Sequence, residues 1–362
     1  MDYNKIRRKT KEIKIGNTAV GGNNPIRIQS MTNTDTHDAR TTISQIHELE
    51  AAGCEIVRIA VPDLEAAKTV AAIKASDVKI PIVADIHFDY RIALECVKYG
   101  VDKIRINPGN IGDEKKIKEV CDACRAGSIP IRIGVNGGSL EKHILAEYGS
   151  PTPEALAKSA MYHVSLLEKF CFTDIVISIK SSNVYNMIKA NKIVAESCAY
   201  PIHIGVTEAG SAAAGTIKNA VGIGSLICDG VGDTVRVSLT ESPVLEIERA
   251  KEILGALGVA GQRGMDIVSC PTCGRAKIDL ITLVHNFESA ATEAGLRDFP
   301  IKVALMGCAV NGPGEARDAD IGIAGGNGEG LLFKKGEITA KVPEDKIIDT
   351  LIKEILEMKK GK

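Results

Sequence analysis

Along most of the chain, short β-branched runs alternate with longer stretches whose apolar residues recur at helical spacing. The runs predict strands at Ile26 to Met31, Glu55 to Val61, Ile80 to Ile86, Asp102 to Asn107, Ile129 to Val135, Asp174 to Lys180, Ile202 to Glu208 and Asp233 to Leu239. Helices are predicted behind them, among them Ala39 to Ala52, Asp63 to Ala75, Tyr90 to Tyr99, Pro153 to Phe170 and Pro243 to Leu257. Eight strand and helix units by residue 258 have the count and length of a (β/α)8 TIM-like barrel. A doubly wound open sheet is the rival, but no Gly-x-Gly-x-x-Gly turn follows the first strand. Ahead of the barrel, Glu12 to Val20 reads as a small hairpin turned by Gly21-Gly22.

The pattern breaks at Gly258, Gly261 and Gly264, which places a barrel domain at 1–260 and a smaller α/β module at 265–362. In the module, strands are predicted at Asp266 to Ser269, Lys302 to Met306 and Asp320 to Ile323. Helices are predicted at Ile278 to Ala294 and Glu344 to Lys359, with a hairpin through Gly336.

Several barrel strands carry a cation flanked by branched apolar residues: Val57-Arg58-Ile59, Ile104-Arg105-Ile106, Ile131-Arg132-Ile133, Ile179-Lys180 and Val235-Arg236-Val237. Alternate residues of a barrel strand face the helices and the interior, so the flanks pack outward and the cations point inward. Asn107, Asn136, Ser238 and the pair Asp85 and His87 share that inward facing near the C-terminal strand ends, where barrel enzymes keep their chemistry. The plain alternative pairs each arginine with a carboxylate on a neighbouring strand. The strand interiors offer few acids, mainly Asp85 and Glu208, and buried unpaired charge costs several kcal/mol. A ligand with two phosphates absorbs the surplus, with arginine supplying planar forks and lysine a point charge.

Loops at the same end add donors. Asn107-Pro108-Gly109-Asn110 and Gly134-Val135-Asn136-Gly137-Gly138-Ser139 are of the kind that forms anion-binding nests, and Gln29-Ser30-Met31-Thr32 closes the first strand with hydrogen-bonding side chains. Thr207 and Glu208 lie in Gly205-Val206-Thr207-Glu208-Ala209-Gly210. Glu208 is the stronger candidate acid, because desolvation at the end of an apolar strand would raise its pKa. His87 is a second proton donor, set against the common structural use of a lone histidine.

The module's chemistry lies in two loops, Cys270-Pro271-Thr272-Cys273-Gly274-Arg275 and Met306-Gly307-Cys308 through Asn311-Gly312-Pro313-Gly314-Glu315. Two thiolates in a tight Cys-x-x-Cys turn reach neighbouring corners of one metal centre, and glycine lets a second loop approach closely. With three thiols and the acid Glu315 nearby, an iron-sulfur cluster, a structural zinc or merely structural cysteines all remain open. Cys121 and Cys124 also form a Cys-x-x-Cys, but within a helix predicted over Glu114 to Ala126, where that spacing places both thiols on one face. Cys54, Cys96, Cys171, Cys198 and Cys228 sit beside apolar residues and read as core.

Composition narrows the classes. The 362 residues, 44% of them hydrophobic and 35 of them glycine, suit a loop-rich α/β enzyme, and a net charge of -1 argues against nucleic acid. No apolar run approaches a membrane span, and the opening Met1-Asp2-Tyr3-Asn4-Lys5 lacks an apolar signal core, so a cytoplasmic protein is expected. Ten cysteines there mean thiols and metal ligands.

The eighth barrel helix would return the chain to the face opposite the strands' C-terminal ends. A linker of about seven residues spans at most about 25 Å, so a module capping a neighbouring chain's barrel is easier to build than one capping its own. A head-to-tail homodimer with an active site shared between subunits is expected.

The two cysteine loops closely resemble the cluster loops of 4-hydroxy-3-methylbut-2-en-1-yl diphosphate synthases. Strand ends Ile28 to Thr32, Ala84 to Phe88, Arg105 to Asn110, Arg132 to Leu140 and Gly205 to Gly210 resemble that family too, in its short two-domain bacterial form. The resemblance implies a [4Fe-4S] cluster on Cys270, Cys273, Cys308 and Glu315. It further implies reductive ring opening and dehydroxylation of 2-C-methyl-D-erythritol 2,4-cyclodiphosphate, with electrons from ferredoxin or flavodoxin. The substrate phosphates would meet Arg58, Arg105, Arg132, Lys180 and Arg236, helped by Asn136, Ser238, Asn107, Gln29, Asp85 and Thr207. Glu208 or His87 would supply the proton and Glu315 the exchangeable ligand. A zinc-stabilised phosphate-binding barrel aldolase or transferase and a non-catalytic redox sensor are the competing readings.

Overall fold

The computed structural model describes residues 3–107, 109–259, 264–309 and 316–361. The chain divides into two compact units, Met1–Ile253 and Leu254–Lys362.

In the first unit, eight parallel strands close into a barrel: β3 (Arg27–Met31), β4 (Ile56–Ala60), β5 (Ile82–Asp85), β6 (Lys103–Ile106), β7 (Ile131–Asn136), β8 (Ile175–Lys180), β9 (Ile202–Ile204) and β10 (Thr234–Val235), with β10 returning to pair with β3. Helices follow the strands, and a short aspartate code starts four of them. Asp38, Asp63, Asp89 and Asp113 each accept hydrogen bonds from first-turn backbone N–H groups that have no helical partner. Thr152 does the same for Pro153–Glu168, whose first residue needs no N–H.

The last two barrel strands are shorter than the pattern predicts, and Gly205 marks the reason. It adopts φ +157, and a Cβ there would lie 2.1 Å from the Arg236 carbonyl oxygen, so the backbone of one strand crowds the other just past the paired residues. Arg236 N–H still donates to the Ile204 carbonyl at 3.0 Å, which carries the inward facing on to Arg236.

The opening hairpin pairs β1 (Ile13–Ile15) with β2 (Thr18–Val20). Its turn is Gly16-Asn17, with Gly16 at φ +54, and not the expected Gly21-Gly22. Ile13, Ile15 and Val20 are buried against Ile56, Val83 and Val176, so the hairpin is an apolar stopper for the N-terminal end of the barrel. Burial of this size, about 2 kcal/mol per aliphatic side chain, seals one mouth and leaves the other open.

The second unit is a five-stranded sheet in sequential order. β11 (Asp266–Ser269), β12 (Lys302–Met306) and β13 (Ile321–Gly325) run parallel, and β14 (Glu329–Lys334) and β15 (Glu337–Pro343) add an antiparallel hairpin. Helices Leu280–Glu293 and Ile347–Lys360 share one core with the sheet through Phe287, Leu305, Ile323, Leu351 and Ile355. Cys121 and Cys124 are buried on one side of the helix Glu114–Ala126, as their spacing requires. Cys54 and Cys96 are buried as well, whereas Cys171 and Cys228 are exposed. Cys171 takes a left-handed turn at φ 56, and Cys228 ends its helix, so neither reaches the core.

Candidate functional site

The open end of the barrel holds a cavity of about 140 Å³ lined by Arg58, Asp85, His87, Arg105, Arg132, Asn136, Ser178, Lys180, Thr207, Arg236 and Ser238. These residues come from seven strands or the loops just after them, and the period-two facing of a barrel strand is what collects them. All five strand cations therefore reach one small space.

Their partners are unequal. Asp85 Oδ1 accepts from Arg105 Nη1 at 2.9 Å, and its Oδ2 lies 3.6 Å from Arg58 Nε. Burial opposes ionisation of Asp85, but Arg58 and Arg105 outweigh it and hold the carboxyl at about 2. Arg236 Nε donates to Glu246 Oε2 at 3.3 Å, and Glu246 also accepts from the Ser30 hydroxyl at 3.1 Å and the Leu239 N–H at 3.1 Å. Arg132, almost without exposed surface, donates among the described residues to the neutral Gln29 Oε1, at 3.3 Å. Lys180 has no carboxylate within ion-pair distance among the described residues. Burial, then Arg236, Arg58 and Arg132, pushes its amine well below the ordinary lysine range. Burial likewise brings Arg58 down to about 9, still well above neutral pH. Because arginine holds its proton in proteins, the crowding falls on the lysines. Four arginines and a lysine thus face two carboxylates, as expected for a site that takes an anion.

Glycine makes room for one of these groups, since a Cβ at Gly134 would sit 2.2 Å from Arg105 Nε. Arg105 Nη2 reaches the Gly134 carbonyl at 3.4 Å. Asn107 is buried and its Oδ1 accepts the Gly109 N–H at 3.1 Å, which shapes the loop it begins. His87 is exposed at the rim.

Glu208 departs from expectation. It lies in the loop beyond β9, exposed and at φ 52, and not buried at the end of an apolar strand. The second carboxylate that engages a cavity cation is Glu246 instead, on the helix Pro243–Ala256, buried to 4% and bound to Arg236. A glutamate in a helix's first turn reads in sequence as a partner for the helix dipole, which conceals its reach back into the barrel. Ser178 carried a visible signal, the inward facing two residues before Lys180.

In the second unit the cysteine loops leave the C-terminal ends of adjacent parallel strands, where open α/β sheets bind ligands. Gly307 N–H donates to Cys270 Sγ at 3.3 Å and the Gly307 carbonyl accepts from Lys277 N–H at 2.8 Å, so the two loops are stitched together. The Arg275 backbone N–H lowers the Cys273 thiol below its ordinary range. Cys270, Cys273 and Cys308 are all free thiols. Among the described residues no three His, Cys, Asp or Glu side chains stand together as a metal-binding group, and Glu315 lies outside the described residues. The donor type and the N–H to sulfur bond fit a thiolate-held cluster.

A family profile described as the GcpE TIM-barrel domain matches residues 10–251, and one described as the GcpE protein C-terminal domain matches 266–357. The chain belongs to the GcpE family. It is 55% identical over 356 residues to the 4-hydroxy-3-methylbut-2-en-1-yl diphosphate synthase (flavodoxin) of Caldanaerobacter subterraneus subsp. tengcongensis, covering 98% of this chain and 99% of that one. It is also 55% identical to the Clostridium perfringens protein of that name, over 96% of this chain and 98% of that one. A solved doubly substituted Plasmodium falciparum HPPK-DHPS with pterin and p-hydroxybenzoate is similar in fold, with a TM-score of 0.50 at 13% identity over 78% of this chain and 52% of that one. In this GcpE chain no described helix is long and apolar enough to cross a membrane.

The Asp85 carboxyl yields a test. Its pKa is depressed in the folded chain, so it contributes stability above about pH 4 that disappears as pH falls through about 2, worth about 2 kcal/mol. Asp85→Asn is expected to lose that amount at neutral pH and to flatten the acid limb of stability, measured by urea unfolding from pH 6 downward.

Proposed function

We infer that this chain is an oxidoreductase that converts 2-C-methyl-D-erythritol 2,4-cyclodiphosphate to (E)-4-hydroxy-3-methylbut-2-enyl diphosphate in non-mevalonate isoprenoid biosynthesis. The observation that carries the reading is the barrel cavity, whose four arginines and one lysine are engaged by only two carboxylates among the described residues, Asp85 in its wall and Glu246 behind Arg236. Relatives of 55% identity bearing the synthase name supply the reaction class. Their name also favours flavodoxin over ferredoxin as electron donor.

The chain's own residues divide the work. Arg58, Arg105, Arg132, Lys180 and Arg236 clamp the two phosphates, and Asn136, Ser238, Asn107, Gln29 and Thr207 orient the ligand by hydrogen bonds. Asp85 holds the Arg58 and Arg105 forks open for oxygen atoms, as Glu246 does for Arg236. Glu208 and His87, both exposed at the rim, are the groups able to give a proton to the departing oxygen. A [4Fe-4S] cluster held by Cys270, Cys273, Cys308 and Glu315 would supply the two electrons, one at a time. The surplus charge lies in one unit and the thiols in the other. We assign the working enzyme to a cytoplasmic homodimer in which each barrel is served by its partner's cysteine module.

Anaerobically purified chain is expected to be brown and to contain about four irons and four acid-labile sulfides per subunit, with Cys270→Ser losing both. Zinc without sulfide in the unaltered chain contradicts the cluster. For the shared site, co-expressed Cys270→Ala and Arg132→Ala chains should regain activity in the mixed dimer, up to about half of the wild-type value per dimer. Two inactive partners that remain inactive together refute the sharing.

A further inference from the structure

Beneath the cavity the barrel holds a second polar layer. Lys103 opens β6 two positions before Arg105, has no exposed surface, and its Nζ has no hydrogen-bond partner among the described residues. Gln29 Nε2, Arg132 Nε and His203 Nε2 are likewise buried and unpartnered. Arg132 binds Gln29, and His203 Nδ1 faces the Thr234 hydroxyl at 2.7 Å, so polar side chains from β3, β6, β7, β9 and β10 form this layer above the apolar stopper.

The charged and titratable groups that act on Lys103 are Arg58 on β4, Arg132 on β7 and His203 on β9, while Asp85, Arg105, Lys180 and Arg236 line the cavity above and Glu246 holds Arg236. Only Asp85 and Glu246 are acids, and both are already engaged by arginines. An ammonium here would be buried without a counter-charge, and burial together with Arg132 and Arg58 depresses its pKa well below the lysine range. A methionine of similar length would fill the space without that penalty.

We propose that Lys103 is a positioning residue whose neutral amine takes a proton from solvent when the cyclic diphosphate enters the ring above it, so that the dianion is balanced from beneath as well as from the sides. The proposal rests on the diphosphate reading of the cavity. Two residues of strand set Lys103 about 7 Å below the level of Arg105, a distance over which charge acts strongly in a low-dielectric interior. The Nζ lone pair accepts the proton and the buffer releases it. Each phosphate of the cyclic ligand has a single ionisable oxygen, already ionised near neutrality, so the ligand itself contributes no titration there. Uptake on binding means that affinity rises as pH falls.

The test is calorimetric titration of the oxidised, cluster-loaded full chain with 2-C-methyl-D-erythritol 2,4-cyclodiphosphate, without electron donor, in two buffers of different ionisation enthalpy near neutral pH. The wild type should bind with net proton uptake. Lys103→Met should bind about tenfold more weakly, take up about one proton fewer, and melt no lower than wild type when ligand-free. Equal uptake by the two overturns the proposal, and so does wild-type binding with no uptake, which needs no variant. A wild type that fails to bind overturns the diphosphate reading itself and the role of Lys103 with it.

Discussion

Like charges crowded inside a closed ring of strands govern this molecule. Among the described residues, Arg132 has a neutral amide as its hydrogen-bond acceptor, Arg58 and Arg105 share one carboxylate, and Lys180 has none within ion-pair distance. A barrel interior tolerates such an arrangement only if the rest of the fold is strong enough to hold it and a ligand relieves it. The hairpin stopper and the branched outward residues of every strand supply that strength. Function and destabilisation are therefore two aspects of the same side chains.

The second unit answers a different chemical need. Its parallel strands deliver two cysteine loops side by side, and a backbone amide already points at one sulfur. A phosphate clamp requires rigid strands with alternating facings, whereas thiolate ligation requires short glycine-containing loops that approach closely. Placing them in separate compact units lets each be built without compromising the other.

Much of this was legible in the sequence because a period of two is unambiguous once the strands are located. Arg58, Arg105, Arg132, Lys180 and Arg236 line one cavity as their flanking residues required. The same alternation carried Lys103 and Ser178, which need only be counted two residues back from a cation. Glu246 was hidden because it reaches the barrel from a helix, and helical periodicity says nothing about what lies across a strand. The burial expected of Glu208 fails for a related reason: pairing stops at Ile204, where Gly205 lets the backbones crowd, and Glu208 in the loop beyond is exposed. The hairpin turn moved from Gly21-Gly22 to Gly16-Asn17 because both glycine sites take positive φ, and sequence alone does not say which one reverses the chain.

The most direct measurement of the central claim is thermal unfolding of the wild type and of Arg132→Met, each with and without the cyclic diphosphate. Removing an uncompensated buried charge should leave the ligand-free variant at least as stable as wild type and abolish the ligand-induced rise in Tm. A variant that melts lower while keeping the full ligand-induced rise would mean that Arg132 serves the barrel's packing, and the account would be wrong.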